Sequence, residues 1–144
     1  MRLGFYSEYA RQSETAAREF IAKLGYKPVA ADIRRCRQDL MSPENAGRFK
    51  QVLSARDFYG MSECRDMLFH VQEHRYTLPQ LKEYIRLLGL TFIGFSLDVS
   101  LMGQYQQQFP ADRAQTNLDN WHIFETDHPD TFSGMYQFWV QKPH

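Results

Sequence analysis

The sequence has little of several features that would assign it to a particular class of protein. Lys plus Arg and Asp plus Glu each number 17, so the formal net charge is zero and no strong attraction for nucleic acid is expected. The two cysteines, Cys36 and Cys64, match no metal-ligand spacing and predict ordinary reduced thiols. No apolar run is long enough to cross a bilayer, and no signal-peptide pattern is seen. These absences favour a cytoplasmic protein without a nucleic-acid or membrane partner.

Aromatic residues, by contrast, are abundant. They make up 15% of the 144 residues, with eleven Phe and eight Tyr. Because each ring buries a large area, this content predicts a core or a pocket wall built from rings. The length suits a single domain over residues 1–144, with a sizeable buried core.

Three apolar and aromatic segments predict strands near residues 2–6, 90–95 and 134–141. Amphipathic helices are predicted between them from capping residues and apolar spacing. Their predicted starts are Ser13, Asp32, Ser42, Ser62, Thr77, Val99 and Asn117. Gly25 and Gly89 are expected to end the first of these helices and the one that precedes the second strand. This mixture predicts an α/β fold with a small three-stranded sheet.

Residues 69–80 concentrate polar chemistry. His70, Glu73, His74 and Arg75 lie within six positions and are followed by a helix and an apolar strand. Such groups beside a buried element are typical of the rim of an α/β active site, where the histidines and Glu73 would orient a substrate or take its proton. The structural alternative is that Glu73 and Arg75 pair locally while the histidines satisfy backbone groups.

The same residues spell H-x-x-E-H, an inverted zincin signature. On a helix, His70 and His74 would share a face and bind zinc, with Glu73 as general base. A third ligand would come from Glu125, Asp127 or His128. A zinc-dependent hydrolase is therefore one alternative function, although Pro79 and the capping Thr77 disfavour a continuous helix here.

A second polar and aromatic cluster spans residues 119–130. Trp121 and His122 would form one wall of a substrate pocket. The structural alternative, which we favour, places Trp121 and Phe124 in the core at the end of an acidic helix.

Three segments together resemble the C-terminal half of a class I S-adenosylmethionine-dependent methyltransferase. They are GFYSE (4–8), EHRYTLP (73–79) followed by LGL (88–90), and DTFSGMYQFWV (130–140). The nearest similarity is to the bacterial type often fused to tetratricopeptide repeats. The resemblance implies a partial Rossmann-like fold in which these segments contain the fifth strand, the approach to the sixth, and the last strand. It also implies that Tyr6, Glu8, Arg75, Trp121 and His122 line the acceptor site beside His70, Glu73 and His74.

The family holds its cofactor on a glycine-rich loop after the first strand, and this sequence contains no G-x-G-x-x-G. No residue is therefore assigned to cofactor binding or to metal binding. S-Adenosylmethionine is the cofactor of the parent family, but this chain alone is not expected to bind it. The chain is expected to be a fragment without independent activity. The alternative function is a non-catalytic interaction or assembly module.

The family's sheet order places the last strand between the fifth and sixth, antiparallel to both. Strand 2–6 would then lie at an open edge of the sheet. Open edges recruit other chains, so we expect a homodimer through this strand or pairing with the missing N-terminal half.

Overall fold

A computed structural model of the chain describes residues 1–69 and 72–143. It is an α/β fold in two compact units. The sheet unit comprises Met1–Arg11 and the chain from His74 onward, and the helical unit is Gln12–Glu73. The strands are β1 (Arg2–Ser7), β2 (Arg75–Tyr76), β3 (Thr91–Phe95) and β4 (Met135–Gln141). The helices are α1 (Gln12–Leu24), α2 (Ala30–Leu40), α3 (Lys50–Ser54), α4 (Met61–Phe69), α5 (Leu78–Leu87), α6 (Val99–Gln108) and α7 (Leu118–Asp127).

The four strands form one mixed sheet in the order β2-β1-β4-β3. Strand β4 is antiparallel to both β1 and β3, so β1 and β3 run in the same direction. Leu3 lies opposite Phe138 and Phe5 opposite Tyr136 in the β1–β4 pair. The predicted central position of the last strand, antiparallel to its two neighbours, is confirmed.

The expected count of three strands is wrong, because β2 adds a fourth. It pairs in parallel with the end of β1, Tyr6 opposite Arg75 and Ser7 opposite Tyr76. The Glu8 amide donates to the Tyr76 carbonyl at 2.9 Å. The pairing arises because Arg75 and Tyr76, which precede the helix cap Thr77, are extended. They lie beside the last two residues of β1 and leave the rest of its outer edge without β2. Strand β1 is therefore an edge strand over part of its length only.

Two of the predicted capping residues, Thr77 and Asn117, do cap a helix. Ser13, Asp32 and Ser62 lie inside α1, α2 and α4 instead, because these helices begin one or two residues earlier. Thr77 caps α5 in a capping box with Gln80, and Asn117 caps α7 through the amides of Asp119 and Asn120. Gly25 and Gly89 have φ of 73° and 61°, the left-handed conformation expected just after a helix.

The predicted helix from Ser42 is mostly absent, and α3 begins only at Lys50. Turns occupy the intervening residues. Asn45 and Gly47 are poor helix formers, and the Asn45 side chain donates instead to the Asp39 carbonyl at 2.9 Å. Local side-chain bonding therefore competes with the helix. Leu88, the residue after the last turn of α5, is 70% exposed.

Aromatic rings build the core of the sheet unit, as their abundance predicted. Trp121 is fully buried and stacks on Tyr105, with ring centroids 3.7 Å apart, and its indole N–H donates to the Gln115 carbonyl at 2.8 Å. Phe95 packs edge-on against Trp121. The helical unit has a separate core of Ala17, Ile21, Ile33, Cys36, Leu40, Phe49, Val52, Phe58, Cys64, Met67 and Leu68. Each unit thus buries its own apolar residues.

Candidate functional site

The most concentrated buried polar chemistry of the sheet unit lies where β1 ends. Ser7 is the last residue of β1, Tyr136 lies near the start of the antiparallel β4, and Glu125 projects from α7. All three residues are completely buried. In open α/β sheets, ligands bind outside the carboxyl ends of the parallel strands. The cluster therefore occupies the edge of the sheet at which a site is expected.

The Glu125 carboxylate is the centre of this cluster. The Ser7 hydroxyl donates to Oε1 at 2.5 Å, and the Tyr136 hydroxyl lies 2.7 Å from Oε1 and 2.8 Å from Oε2. Ser7 Oγ also accepts the Ala10 amide at 3.1 Å, which fixes the turn that follows β1. Three elements that are distant in sequence are thus joined through one carboxylate.

Burial controls the protonation of the cluster. It raises the pKa of Glu125, and the hydroxyls of Ser7 and Tyr136 only partly oppose this by stabilising the ionised carboxylate. Burial and the neighbouring Glu125 also raise the pKa of Tyr136. No cation is among the causes that act on Glu125. The cluster therefore holds protons more tightly than the same groups would in water.

Tyr9 and His122 extend the site from the buried cluster. Their rings meet edge to face with centroids 5.8 Å apart, and both side chains are half-buried. His122 lies three positions before Glu125 on α7 and so one turn from it. Its Nδ1 is buried and has no hydrogen-bond partner among the described residues. Of the titratable groups here, His122 combines partial exposure with an uncommitted nitrogen.

The structure places the predicted acceptor-site residues in different surroundings. Tyr6 is 37% exposed, with the Arg11 guanidinium 4.8 Å from its ring centroid. Glu8 is exposed at the turn after β1, and Arg75 is half-buried in β2. His122 lies at the site just described. Trp121 is a core residue, so the structural alternative holds for it, and its packed indole leaves no face for a substrate.

The predicted catalytic residues are not found in one described cluster. His70 lies outside the described residues. Glu73 belongs to the helical unit, where its carboxylate accepts from Arg18 Nη2 at 2.8 Å. The same guanidinium donates to the Met67 carbonyl through Nε at 3.0 Å and Nη2 at 2.5 Å. His74 is exposed in the sheet unit. The Glu73 carboxylate is thus committed to an ion pair that tethers the end of α4 to α1.

Residues 1–69 and 72–143 contain no group of three or more His, Cys, Asp or Glu side chains arranged to hold a metal. The H-x-x-E-H hypothesis depends on His70 and so falls outside this search. Both cysteines are buried and free, and burial together with Cys64 raises the pKa of Cys36 to about 12. These thiols are therefore poor nucleophiles at neutral pH.

A surface depression of about 550 Å³ marks the helical unit. It is lined by Phe20, Leu24, Asp39, Ser42, Pro43, Glu44 and Asn45. The Asp39 carboxylate accepts from the Tyr26 hydroxyl, and Asn45 bonds to the backbone. Asp39 and Asn45 thus serve local structure, whereas Ser42 Oγ is buried without a hydrogen-bond partner among the described residues. The depression has fewer converging titratable groups than the β1 end.

Sequence reasoning missed Tyr136 as a site residue and considered Glu125 only as a metal ligand. It placed Ser7 beside the acceptor, between Tyr6 and Glu8, but assigned it no role. One pattern would have identified Glu125. Leu118, Trp121 and Glu125 follow the helical spacing i, i+3, i+7, which puts the carboxylate on the buried face of α7. A carboxylate in that position requires buried donors. Hydroxyl residues near the ends of the neighbouring strands were the natural candidates.

No family model matches the chain, and no curated protein matches it at a significant level. Within the described part of the chain, every helix is too short or too polar to span a membrane.

Proposed function

We propose that this chain supplies the methyl-acceptor side of an S-adenosylmethionine-dependent methyltransferase. The observation that carries the proposal is the strand arrangement, in which β4 is inserted between β1 and β3 and runs antiparallel to both. This is the order of the last three strands in the family that segments 4–8, 73–79 and 130–140 resemble.

In this proposal, residues at the end of β1 and on α7 bind the methyl acceptor and take its proton. The acceptor lies against Tyr9 and His122, beside the turn formed by Ser7 and Glu8. S-Adenosylmethionine, held outside this chain, would supply the methyl group; the acceptor's nucleophilic atom would take it as the carbon–sulfur bond breaks, leaving S-adenosylhomocysteine. The acceptor's proton passes to the imidazole of His122, whose half-buried ring lies against Tyr9. Glu125, held by Ser7 and Tyr136, fixes α7 and thereby positions His122.

The donor is held by residues outside these 144, since the sequence has no G-x-G-x-x-G. Rate in methyl transfer comes mainly from holding donor and acceptor in line. Activity therefore requires the glycine-rich half, and the complete enzyme works in the cytoplasm.

The test is isothermal titration with S-adenosylhomocysteine. The purified chain is titrated alone, and then after mixing with the separately expressed glycine-rich half of a methyltransferase from the family it resembles. We expect no heat from the chain alone, and tighter binding by the mixture than by the glycine-rich half alone. The His122→Gln variant should bind like the wild-type chain, because His122 is assigned to the acceptor.

Two results would overturn the proposal. One is saturable binding by the chain alone, which would reveal a donor site within it. The other is a mixture that binds no better than the glycine-rich half. Metal analysis of the same sample addresses the alternative, because stoichiometric zinc would favour a hydrolase that uses His70, Glu73 and His74.

A further inference from the structure

The ring contact between Tyr9 and His122 depends on how two separate segments are held together. Tyr9 lies in the turn after β1, and His122 lies on α7. The Ser7 hydroxyl donates to Glu125 Oε1 on α7 at 2.5 Å, and Ser7 Oγ accepts the Ala10 amide of the turn at 3.1 Å. One serine side chain therefore fixes the turn that carries Tyr9 and joins it to the helix that carries His122.

The surroundings of Glu125 favour its neutral form. The side chain is completely buried, and its partners, the hydroxyls of Ser7 and Tyr136, carry no charge. An ionised carboxylate in this place keeps its charge without a counter-ion, and hydroxyl donors replace only part of the lost hydration. Burial accordingly raises the pKa of Glu125. The arrangement with Ser7 bonded to α7 is therefore best satisfied when the carboxyl is protonated.

Several other titratable and charged side chains lie on the elements around Glu125. They are Tyr9 and Arg11 after β1, Lys82 on α5, Tyr105 on α6, Asp119, His122 and His128 on α7, and Tyr136 on β4. Lys82 and Asp119 pair with each other, and the Arg11 guanidinium lies over the Tyr6 ring. Among the described residues, burial and the Ser7 and Tyr136 hydroxyls determine the pKa of Glu125, with no cation among the causes. The two histidines are the groups whose own titration a test must separate from that of Glu125.

We propose that Ser7, Glu125 and Tyr136 form a pH-sensitive switch that keeps Tyr9 and His122 in contact while Glu125 is protonated and releases them when it ionises. The ionised carboxylate admits water, because hydration compensates a buried charge that has no counter-ion. Water at Oε1 then competes with the Ser7 hydroxyl, and the turn after β1 separates from α7. As regulation of the acceptor site, the switch rests on the proposed function, whereas its test reads the protein alone.

The direction of the pH dependence follows from the protonation of one carboxyl. The folded-state pKa of Glu125 lies above the ordinary 4.5, so the folded protein keeps this proton at pH values where an exposed glutamate has lost it. The Tyr9–His122 contact is therefore closed on the acidic side of the raised pKa and opens as pH rises through it.

Hydrogen exchange of the Ala10 amide is the first test, because this amide bonds to Ser7 Oγ. We expect its protection factor, corrected for the rise of the intrinsic rate with pH, to fall about tenfold as Glu125 ionises. Nuclear Overhauser contacts between the Tyr9 and His122 rings should weaken over the same pH range. The carboxyl carbon shift of labelled Glu125 defines that range.

Glu125→Gln is the matched control. Glutamine is close to glutamate in size, does not ionise, and keeps a carbonyl oxygen for the Ser7 and Tyr136 hydroxyls at the position of Oε1. We expect the Ala10 protection factor of this variant to stay constant over the pH range in which wild type loses protection. Because the variant retains both histidines, a constant value also shows that their titration does not open the turn.

Ser7→Ala tests the connecting side chain. It removes the donor to Glu125 and the acceptor of the Ala10 amide together. Ala10 protection should therefore be low at every pH, and the Tyr9–His122 contact should be weak even when the carboxyl is protonated. If this variant does not fold, the titration of wild type against Glu125→Gln tests the proposal without it.

Three results would overturn the proposal. The first is Ala10 protection and a Tyr9–His122 contact that are the same on both sides of the Glu125 titration. The second is an equal pH dependence in Glu125→Gln and wild type, which would assign the change to the histidines. The third is a Glu125 pKa at or below 4.5 in the folded protein. None of these measurements uses S-adenosylhomocysteine, so the switch and the methyltransferase proposal can fail independently.

Discussion

Glu73 in the helical unit and Glu125 in the sheet unit are both buried carboxylates, but their partners differ in kind. The Glu73 side chain is 6% exposed and pairs with the charged guanidinium of Arg18. Glu125 is completely buried, and its partners are the neutral hydroxyls of Ser7 and Tyr136. A guanidinium compensates a negative charge, whereas hydroxyls only solvate it.

This difference separates a structural carboxylate from one that can take up a proton. Arg18 holds the end of α4 against α1 through the Met67 carbonyl and pairs with Glu73. Burial raises the pKa of Glu125, so the β1 end can store a proton within the folded protein. The concentration of polar residues around Glu73 made it the predicted catalytic carboxylate. The surroundings of Glu125, by contrast, are those expected of a group that exchanges a proton.

Removing the cation should have the largest effect on stability. Arg18→Ala deprives the buried Glu73 carboxylate of its guanidinium and Met67 of two donors. We expect a loss of about 3 kcal/mol in the free energy of unfolding, measured by urea denaturation.

Lys82→Ala is the control for that experiment. Its pair with Asp119 is short, at 2.5 Å, but the two side chains are 53% and 62% exposed. Its loss should stay below about 0.5 kcal/mol. Equal effects of the two variants would show that burial does not determine the strength of these pairs.

The pH dependence of Glu125→Gln should give the next largest effect. The folded-state pKa of Glu125 is raised above the ordinary 4.5, so the folded state binds this proton more tightly than the unfolded state. Stability from the group is complete below pH 4.5 and is lost as pH rises through the raised pKa. Glu125→Gln carries no such proton, so wild type should lose stability relative to it as pH rises. Urea unfolding at several pH values measures this difference.

Tyr136→Phe sharpens the same experiment. The Tyr136 hydroxyl favours ionised Glu125, so its removal should raise the Glu125 pKa further and move the stability loss to higher pH. The carboxyl carbon shift of labelled Glu125 reports this pKa directly. A shift to lower pH would contradict the assigned hydrogen bond.

The half-buried Thr77 hydroxyl should contribute less than the Arg18–Glu73 ion pair. Thr77→Ala removes the side-chain acceptor for the Gln80 amide at the start of α5. We expect a loss of about 0.5–1 kcal/mol, and Thr77→Ser should retain most of that stability. Thermal unfolding of the three proteins measures the difference. A loss as large as that of Arg18→Ala would mean that the cap also supports β2.

Local chemistry made much of the fold predictable. The caps Thr77 and Asn117 and the stops Gly25 and Gly89 act within one turn of the chain, so their residue types predicted them correctly. The same residue types at Ser13, Asp32 and Ser62 gave the helices but not their caps. The central position of β4 was anticipated through the family resemblance.

Contacts between distant segments were not predictable in the same way. Strand β2 exists because Arg75 and Tyr76 meet a strand from the beginning of the chain, and two residues carry no periodic pattern. Ser7, Glu125 and Tyr136 come from three separate elements, so no sequence spacing connects them. The turns after Ser42 reflect a bond from Asn45 that competes with the helix.

The pairing of β1 with β4 also has a consequence for synthesis of the chain. Met1 bonds to Val140, 139 positions later. At about 5–20 residues per second, β1 leaves the ribosome on the order of ten seconds before its central partner exists. During that interval the edge that later pairs with β4 remains open, and Leu3 and Phe5 lack the strand they will pack against. We therefore expect nascent chains of this protein to be bound by chaperones until β4 emerges.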